Sequence, residues 1–232
     1  RVFGKWSKAN YNSFVATLCE NIQNNKKIEL VNKNQLLDLC HIDQVIGEIL
    51  YHLKNNKLKK KFQIINLKNF FTISVLELFQ KMKRLKEKDD QLELSELGLA
   101  NSLDKFLYST YISFLPINKI KTQLKSIKDK RGSFVEILKT RESGQFSFFT
   151  CEPGEVRGEH YHNTKLEKFL VVRGKAEFRM RNLHDSKIIK IAVSDKIPEV
   201  ITSIPGYIHD IKNVGKEKLV VFVWANENFN KK

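Results

Sequence analysis

Residues 154–174 of the sequence read GEVRGEHYHNTKLEKFLVVRG and contain its most informative pattern. It places His160 and His162 two residues apart, so on a strand both imidazoles point to the same face. Residues 163–165, Asn-Thr-Lys, can form a turn, after which Glu167 returns on the neighbouring strand. The pattern therefore predicts that two imidazoles and one carboxylate meet at one point.

A fourth candidate ligand lies further along the chain. Pro205 and Gly206 predict a turn, and His209 then enters a late strand. Three imidazoles and a carboxylate suit Zn²⁺, or another divalent metal such as Fe, Mn, Ni or Co, and an open coordination position lets the ion polarise a substrate oxygen. We expect one divalent ion, held by all or by three of these residues: His160, His162, Glu167 and His209.

The spacing resembles the two sequence motifs of the cupin family. The first fits at every position: Gly154, five residues, His-x-His, four residues, Glu167, six residues, Gly174. The second is looser, because Pro205 and Gly206 are adjacent and the leading glycine is missing. The resemblance implies a jelly-roll barrel. A barrel without metal, whose histidines carry out acid–base chemistry, remains an alternative.

Short strands predicted around these motifs agree with a barrel. Apolar segments are separated by Gly, Asn, Asp and Pro, as in small all-β domains. The predicted strands are 134–138, 145–150, 168–172, 176–180, 188–193, 200–204 and 219–224. The basic segment 117–132 has little regular pattern, and we interpret it as a connector.

Residues 1–115 are predicted to be mostly helical. Phe14, Leu18 and Ile22 recur at four-residue spacing, which is typical of one helix face. Asp43 is the expected N-cap of a second helix, and Thr72 or Ser74 that of a third. The charged segment 86–91 is interpreted as a loop or helix end, and a further helix is expected over 102–113. The predicted fold class is thus α+β, with a mostly helical domain at 1–116 followed by an all-β cupin barrel at 117–232.

Composition restricts the possible partners. The 232 residues carry a formal net charge of +15, yet the basic clusters at 57–61 and 81–88 match no nucleic-acid motif. No apolar run reaches the roughly 18 residues of a membrane span. We expect no nucleic-acid and no membrane partner, and note that a basic surface attracts a diphosphate-bearing substrate. The three cysteines, Cys19, Cys40 and Cys151, lie far apart, which favours a reducing cytoplasm over a disulfide framework.

Further segments resemble the CapF-type capsular polysaccharide enzymes. They are GSFVEILKT at 132–140 and HNTKLEKFLVV at 162–172 in the second half, and VFGKW at 2–6 and NYNSFVAT at 10–17 in the first. Members of that family are bifunctional. The resemblance implies a zinc-dependent cupin domain that epimerises C3 of a UDP-linked 2-acetamido-4-keto-6-deoxy sugar. It also implies a short-chain dehydrogenase domain that reduces C4 with NADPH on the way to UDP-N-acetyl-L-fucosamine.

The dehydrogenase part is expected to be incomplete. None of the ten glycines forms a Gly-x-Gly-x-x-Gly turn, and residues 1–116 contain no Tyr-x-x-x-Lys. By the resemblance, this segment is the C-terminal, substrate-side part of a short-chain dehydrogenase/epimerase-like domain, and NADPH belongs only to a full-length enzyme. The chain begins without Met, and we expect it to be a piece of a longer protein. The expected partners are a UDP-linked keto-deoxy-sugar and a second copy of the chain in a homodimer.

Epimerisation beside a ketone needs a base, an electrophile for the enolate and a donor that returns the proton. His160, Tyr161 and Tyr207 are the candidate catalytic residues. Lys165 is interpreted as solvated surface, and Lys168 is expected to face away from Glu167 because neighbouring residues on a strand alternate. Two other functions stay open: another cupin-class sugar isomerase, and a non-catalytic sugar-binding cupin.

Overall fold

The structure is a computed structural model that describes residues 1–55, 64–67, 69–90, 102–140, 144–185 and 187–228. These residues form two structural units, an N-terminal unit within 1–122 and a barrel unit from residue 123 onward. The basic cluster at 57–61 lies outside the described residues. No described helix is both long enough and apolar enough to cross a membrane.

The N-terminal unit combines helices with a small sheet. In chain order its elements are β1 (Val2–Phe3), α1 (Phe14–Gln23), β2 (Leu36–His41), α2 (Ile42–Lys54), β3 (Phe71–Ser74), α3 (Val75–Asp90), α4 (Ser102–Ile112) and a 3₁₀ turn (Ile117–Lys119). Strand β2 lies in the middle, parallel to β1 and antiparallel to β3. The apolar faces of α1, α3 and α4 bury Leu18, Leu78, Met82, Leu107 and Tyr111 in one core.

Helix starts in this unit follow capping chemistry. The predicted cap at Asp43 is wrong: α2 begins at Ile42, and His41 Nδ1 accepts a hydrogen bond from the Asp43 N–H. The side chain of Gln44 in turn accepts from the His41 N–H and completes a capping box. Of the two caps proposed for α3, Ser74 is the one observed, since its Oγ accepts from the Glu77 N–H at 3.2 Å. That helix continues through residues 86–90 and ends at Asp90.

The prediction of a mostly helical N-terminal segment missed the three-stranded sheet. Strand β1 has two residues and β3 has four, too short to show an alternating pattern. Strand β2 pairs with β3 across more than thirty residues of sequence, Leu36 opposite Ser74. Local periodicity carries no information about such a distant partner, so only tertiary structure reveals this sheet.

The barrel unit is built from two antiparallel sheets, consistent with the predicted cupin-like β fold. Its strands are β4 (Ser126–Asp129), β5 (Gly132–Lys139), β6 (Gln145–Cys151), β7 (Val156–His160), β8 (Glu167–Arg173), β9 (Lys175–Asn182), β10 (Ile188–Ser194), β11 (Val200–Thr202), β12 (Tyr207–Asn213) and β13 (Leu219–Ala225). One sheet has the order β10-β9-β12-β7, and the other has the order β11-β8-β13-β6-β5-β4.

Alternating burial along the strands creates the barrel interior. In β6 and β13 every second residue is buried, and β9 and β12 contribute Phe178 and Ile211 to the same core. All seven predicted strands are present. Strands β7 and β12 carry His160 and His209, whereas His162 lies beyond the end of β7, so the prediction that it shares the strand of His160 is wrong. The predicted connector at 117–132 is more structured than expected, because it contains the 3₁₀ turn and β4, which pairs with β5.

Candidate metal centre

A bulge in strand β7 aims His160 at His209. These two residues are opposite each other in the antiparallel pair of β7 and β12, and the next pair is Gly158 with Asp210. Glu159 is therefore an extra residue with a positive φ of 61°. Such a bulge re-aims a side chain, and here it places the two imidazoles on the same face.

Glycine is required beside this bulge. Gly158 has φ of +112°, and a Cβ there would lie 2.7 Å from the carbonyl oxygen of His209 and 2.8 Å from Cα of Asp210. Both contacts are with backbone, which cannot rotate away. The close approach of β7 to β12, on which the His160–His209 pair depends, therefore excludes larger residues at position 158.

Glu167 reaches the histidines from the opposite sheet. It is the first residue of β8, which pairs with β11 and β13, so the expectation that it returns on a strand neighbouring His160 is wrong. Its backbone is fixed by the buried Ser203: the Glu167 N–H donates to Ser203 Oγ at 2.9 Å, and the Ser203 N–H donates to the Glu167 carbonyl at 2.8 Å. His162 approaches from the loop that follows β7.

The four predicted ligands converge. One ligand atom from each of His160, His162, Glu167 and His209 lies within 4.8 Å of all the others. Oε2 of Glu167 is 3.1 Å from Nε2 of His209 and 3.4 Å from Nε2 of His162. The ring of His160 is 4.8 Å from that of His162 and 4.9 Å from that of His209, measured between centroids.

The electrostatics favour the deprotonated forms of Glu167 and His162. Burial raises the pKa of Glu167, but the hydrogen bond from His209 and the charges of Lys165, His162 and His209 outweigh it and lower the pKa to about 2. Burial lowers the pKa of His162 and outweighs the opposing charge of Glu167. The 3.4 Å contact between these two is an ion pair only if the imidazole is protonated, which its lowered pKa disfavours.

The donor set fits a divalent cation. Nε2 of His162 is buried and has no hydrogen-bond partner among the described residues. Both ring nitrogens of His209 face acceptors, the Tyr207 carbonyl at 3.4 Å and the Glu167 carboxylate at 3.1 Å, although a neutral imidazole carries one N–H. In the tautomer whose Nδ1–H donates to the Tyr207 carbonyl, His209 no longer donates to Glu167, and its Nε2 lone pair is available to a cation, the arrangement that metal-ligating histidines adopt.

These side chains form part of the wall of a cavity inside the barrel unit. Its volume is about 580 Å³, large enough for a sugar-sized ligand. Much of the remaining wall is aromatic, from Phe134, Phe149, Phe169 and Phe178. The arrangement places the candidate metal site on the same cavity wall as four phenylalanine rings.

Lys165 was misassigned from the sequence. Only 12% of its side chain is exposed, and its Nζ lies 3.2 Å from Oε1 of Glu167 on the cavity wall. The surface interpretation is therefore wrong, because the chain before β8 turns this lysine inward. The two-residue separation between Lys165 and Glu167 indicated this orientation, since alternate residues of an extended segment share a face. The prediction for Lys168 is confirmed: it is exposed and contacts Thr202.

Of the three candidate catalytic residues, one lies on the cavity wall and two do not. His160 lies on the cavity wall. Tyr161 has 46% of its surface exposed, and Tyr207 packs partly against the barrel core. Neither tyrosine is among the described residues that line the cavity. A catalytic role for the two tyrosines stays a prediction that the cavity geometry does not favour.

Comparisons with known proteins identify relatives of the whole chain. Residues 127–232 match the family model described as polysaccharide biosynthesis C-terminal domain. A crystal structure of the capsular polysaccharide assembling protein CapF from Staphylococcus aureus superposes with a TM-score of 0.89 at 37% identity, covering 99% of this chain and 66% of that one. A UDP-2-acetamido-2,6-beta-L-arabino-hexul-4-ose reductase from Pseudomonas aeruginosa is 40% identical over 99% of this chain. The chain spans 61% of the length of that reductase.

Proposed function

Because the chain belongs to the CapF-type family of capsular polysaccharide proteins, we propose that its barrel unit epimerises C3 of a UDP-linked 2-acetamido-2,6-dideoxy-hexos-4-ulose with a divalent metal ion. The product would serve capsular or surface polysaccharide synthesis as a precursor of UDP-N-acetyl-L-fucosamine. The observation that carries the proposal is the convergence of three imidazoles and a carboxylate on the wall of a sugar-sized cavity.

The similar reductase supports the substrate class. Its name specifies a UDP-linked 2-acetamido hexul-4-ose, in which a ketone at C4 neighbours the C3 carbon. A proton next to a carbonyl is acidic enough for a positioned base to remove, whereas the proton of an ordinary sugar carbon is not. A 4-keto sugar is therefore a substrate on which a barrel of this kind can act by proton transfer alone.

The lowered pKa values of Glu167 and His162 favour binding of a cation at neutral pH. Glu167, with its pKa lowered to about 2, is fully ionised. The lowered pKa of His162 keeps its lone pair available. Protons therefore compete weakly with a metal for these donors. When bound, a divalent ion supplies a Lewis acid for a carbonyl oxygen, and zinc is the first candidate for this donor set.

Two residues on the cavity wall can assist removal of the C3 proton, one as a base and one as a cation. His160 is the most exposed member of the cluster, and if three ligands suffice for the ion, its imidazole is free to accept the C3 proton. Lys165 places a cation beside the cluster, where negative charge develops as the proton leaves. Inversion requires return of the proton on the other face of the ring, so one group removes it and a second group, or water, returns it.

We assign the NADPH-dependent reduction of C4 to a dehydrogenase core outside the present sequence. The N-terminal unit is proposed to be the substrate-side part of that domain, in agreement with the greater length of the relatives. The test for the barrel unit is exchange of the C3 proton with solvent deuterium in the absence of any nicotinamide. Conversion between aldose and ketose would instead indicate a sugar isomerase.

A further inference from the structure

The cavity wall carries four cations and four carboxylates, but two of these carboxylates, Glu136 and Asp210, pair with cations that are not among the lining residues. Each carboxylate of the wall has its own cation. The pairs are Asp210 with Arg179 at 2.6 Å, Glu136 with Lys139 at 3.8 Å, Glu167 with Lys165 at 3.2 Å, and Asp129 with Arg131 at 2.6 Å. Of the remaining cations of the wall, Arg157 shares Asp129 with Arg131 and lies 3.6 Å from it, and Lys125 has no ion pair among the described residues.

Arg157 is held in place with much of its hydrogen-bonding capacity unused. Its side chain is 12% exposed, and its guanidinium lies 5.6 Å from the centre of the Phe149 ring. Nε donates to the Thr150 carbonyl at 3.1 Å, and Nη2 is 3.6 Å from Asp129, beyond hydrogen-bond length. Among the described residues, Thr150 is the one hydrogen-bond acceptor of this guanidinium, which leaves its terminal N–H groups for a ligand.

The register of β7 fixes how far Arg157 lies from the candidate metal centre. Arg157 is opposite the buried Ile211, and His160 is opposite His209. Ile211 and His209 are two residues apart on β12, so the two positions are separated by about 6.6 Å along the wall. This separation is close to the width of one pyranose ring, with both side chains facing the same cavity.

We infer that Arg157, assisted by Lys125, binds the diphosphate of the nucleotide sugar while the sugar ring extends along the wall to the cluster of His160. The inference rests on the proposed function and names the substrate subsite that the ligand cluster leaves open. A planar guanidinium matches two phosphate oxygens at once, and the pair of cations opposes the two charges of a diphosphate ester. A neighbouring surface hollow shares Asp129 and Arg131 with the cavity, but it is also lined by Glu155 and Glu159, whose negative charges oppose a diphosphate. We therefore place the subsite in the cavity, beside Arg157.

Calorimetric titration of the full chain with UDP, uridine and inorganic pyrophosphate tests this subsite. We expect UDP to bind more tightly than uridine, and Arg157→Gln to weaken UDP binding at least about tenfold, as expected for a lost hydrogen bond to a charged group. Arg157→Lys keeps the charge without the planar guanidinium, so its affinity for UDP should lie between those of the unchanged protein and Arg157→Gln. The matched control is Arg173→Gln, since Arg173 is an exposed arginine of the same unit that pairs with Glu217.

The result can be separated from the fate of the proposed reaction. His160→Ala should bind UDP like the unchanged protein, so a failure of C3 exchange alone leaves the diphosphate subsite standing. Equal affinities for UDP and uridine, or UDP binding that is the same in Arg157→Gln and the unchanged protein, would overturn the inference. If Arg157→Gln does not fold, the same comparison of UDP affinities is made with Lys125→Gln, because Lys125 is exposed. UDP binding unchanged in that variant would then overturn the inference.

Discussion

Glu167 and His209 belong to different sheets of the barrel unit, yet Oε2 of Glu167 lies 3.1 Å from Nε2 of His209. The carboxylate comes from the start of β8 and the imidazole from the middle of β12, a separation of 42 residues in sequence. The candidate metal centre therefore bridges the two sheets. An ion held there would stabilise the folded barrel because it ties together elements that are far apart in the unfolded chain.

The first prediction concerns metal retention. Purified protein should contain about one divalent ion per chain, and replacing His160 and Glu167 together with Ala should remove it, because two of four ligands are lost. Elemental analysis after dialysis measures the effect. His184→Ala is the control, since His184 is an exposed histidine of the same unit and should leave the metal content unchanged. Full metal content in the double variant would exclude this site.

The second prediction concerns pH and the metal-free protein. The pKa of Glu167 is lowered from 4.5 to about 2, so its ionised carboxylate stabilises the fold. That contribution is complete above the unfolded-state value of 4.5 and is lost as the pH falls towards 2. The shift corresponds to a free energy on the order of 3 kcal/mol. The difference in unfolding free energy between the unchanged protein and Glu167→Gln should therefore shrink as urea titrations move from pH 6 to pH 3. A difference that is independent of pH would contradict the assigned pKa.

The third prediction compares two glycines. Both Gly154 and Gly158 have positive φ, but a Cβ at Gly154 meets no atom within 4 Å, whereas one at Gly158 collides with the backbone of β12. Gly154→Ala should cost about 1–2 kcal/mol from the left-handed backbone alone. Gly158→Ala should cost clearly more and also weaken metal binding, because it pushes His160 away from His209. Thermal unfolding and metal titration measure the two effects, and equal losses in both variants would argue against the bulge geometry.

Some features of this site could be predicted from the sequence, and others could not. The spacing from His160 to Glu167 is encoded locally, so this part of the cluster of candidate ligands was predictable. The bulge at Glu159 was not, because its cause is the backbone of β12, which is distant in sequence. The same holds for the sheet that contains β2, whose partner strands are very short. The inward turn of Lys165 was missed because a charged residue in a turn is usually solvated.

The fourth prediction concerns Lys165. Lys165→Met should keep the metal, since Lys165 is not one of the four ligands, but should slow exchange of the C3 proton at least about tenfold because it removes a cation beside the developing negative charge. Metal content and exchange rate are measured on the same sample. Lys168→Met is the matched control, because Lys168 is the exposed lysine next to Glu167. Unchanged exchange in Lys165→Met would show that this cation has no part in the reaction.

The most direct test of the central proposal is proton NMR of the UDP-linked 4-keto-6-deoxy-N-acetylhexosamine in deuterated buffer, with metal-loaded protein and no nicotinamide. The proposal predicts that the C3 proton signal disappears, and that the loss is prevented by chelation and by His160→Ala. A metal ion that stabilises the enolate can contribute several powers of ten in rate, at about 1.4 kcal/mol each, so the contrast should be large. A C3 signal that persists, with metal present and the sugar bound, would contradict epimerisation and identify the barrel unit as a sugar-binding module.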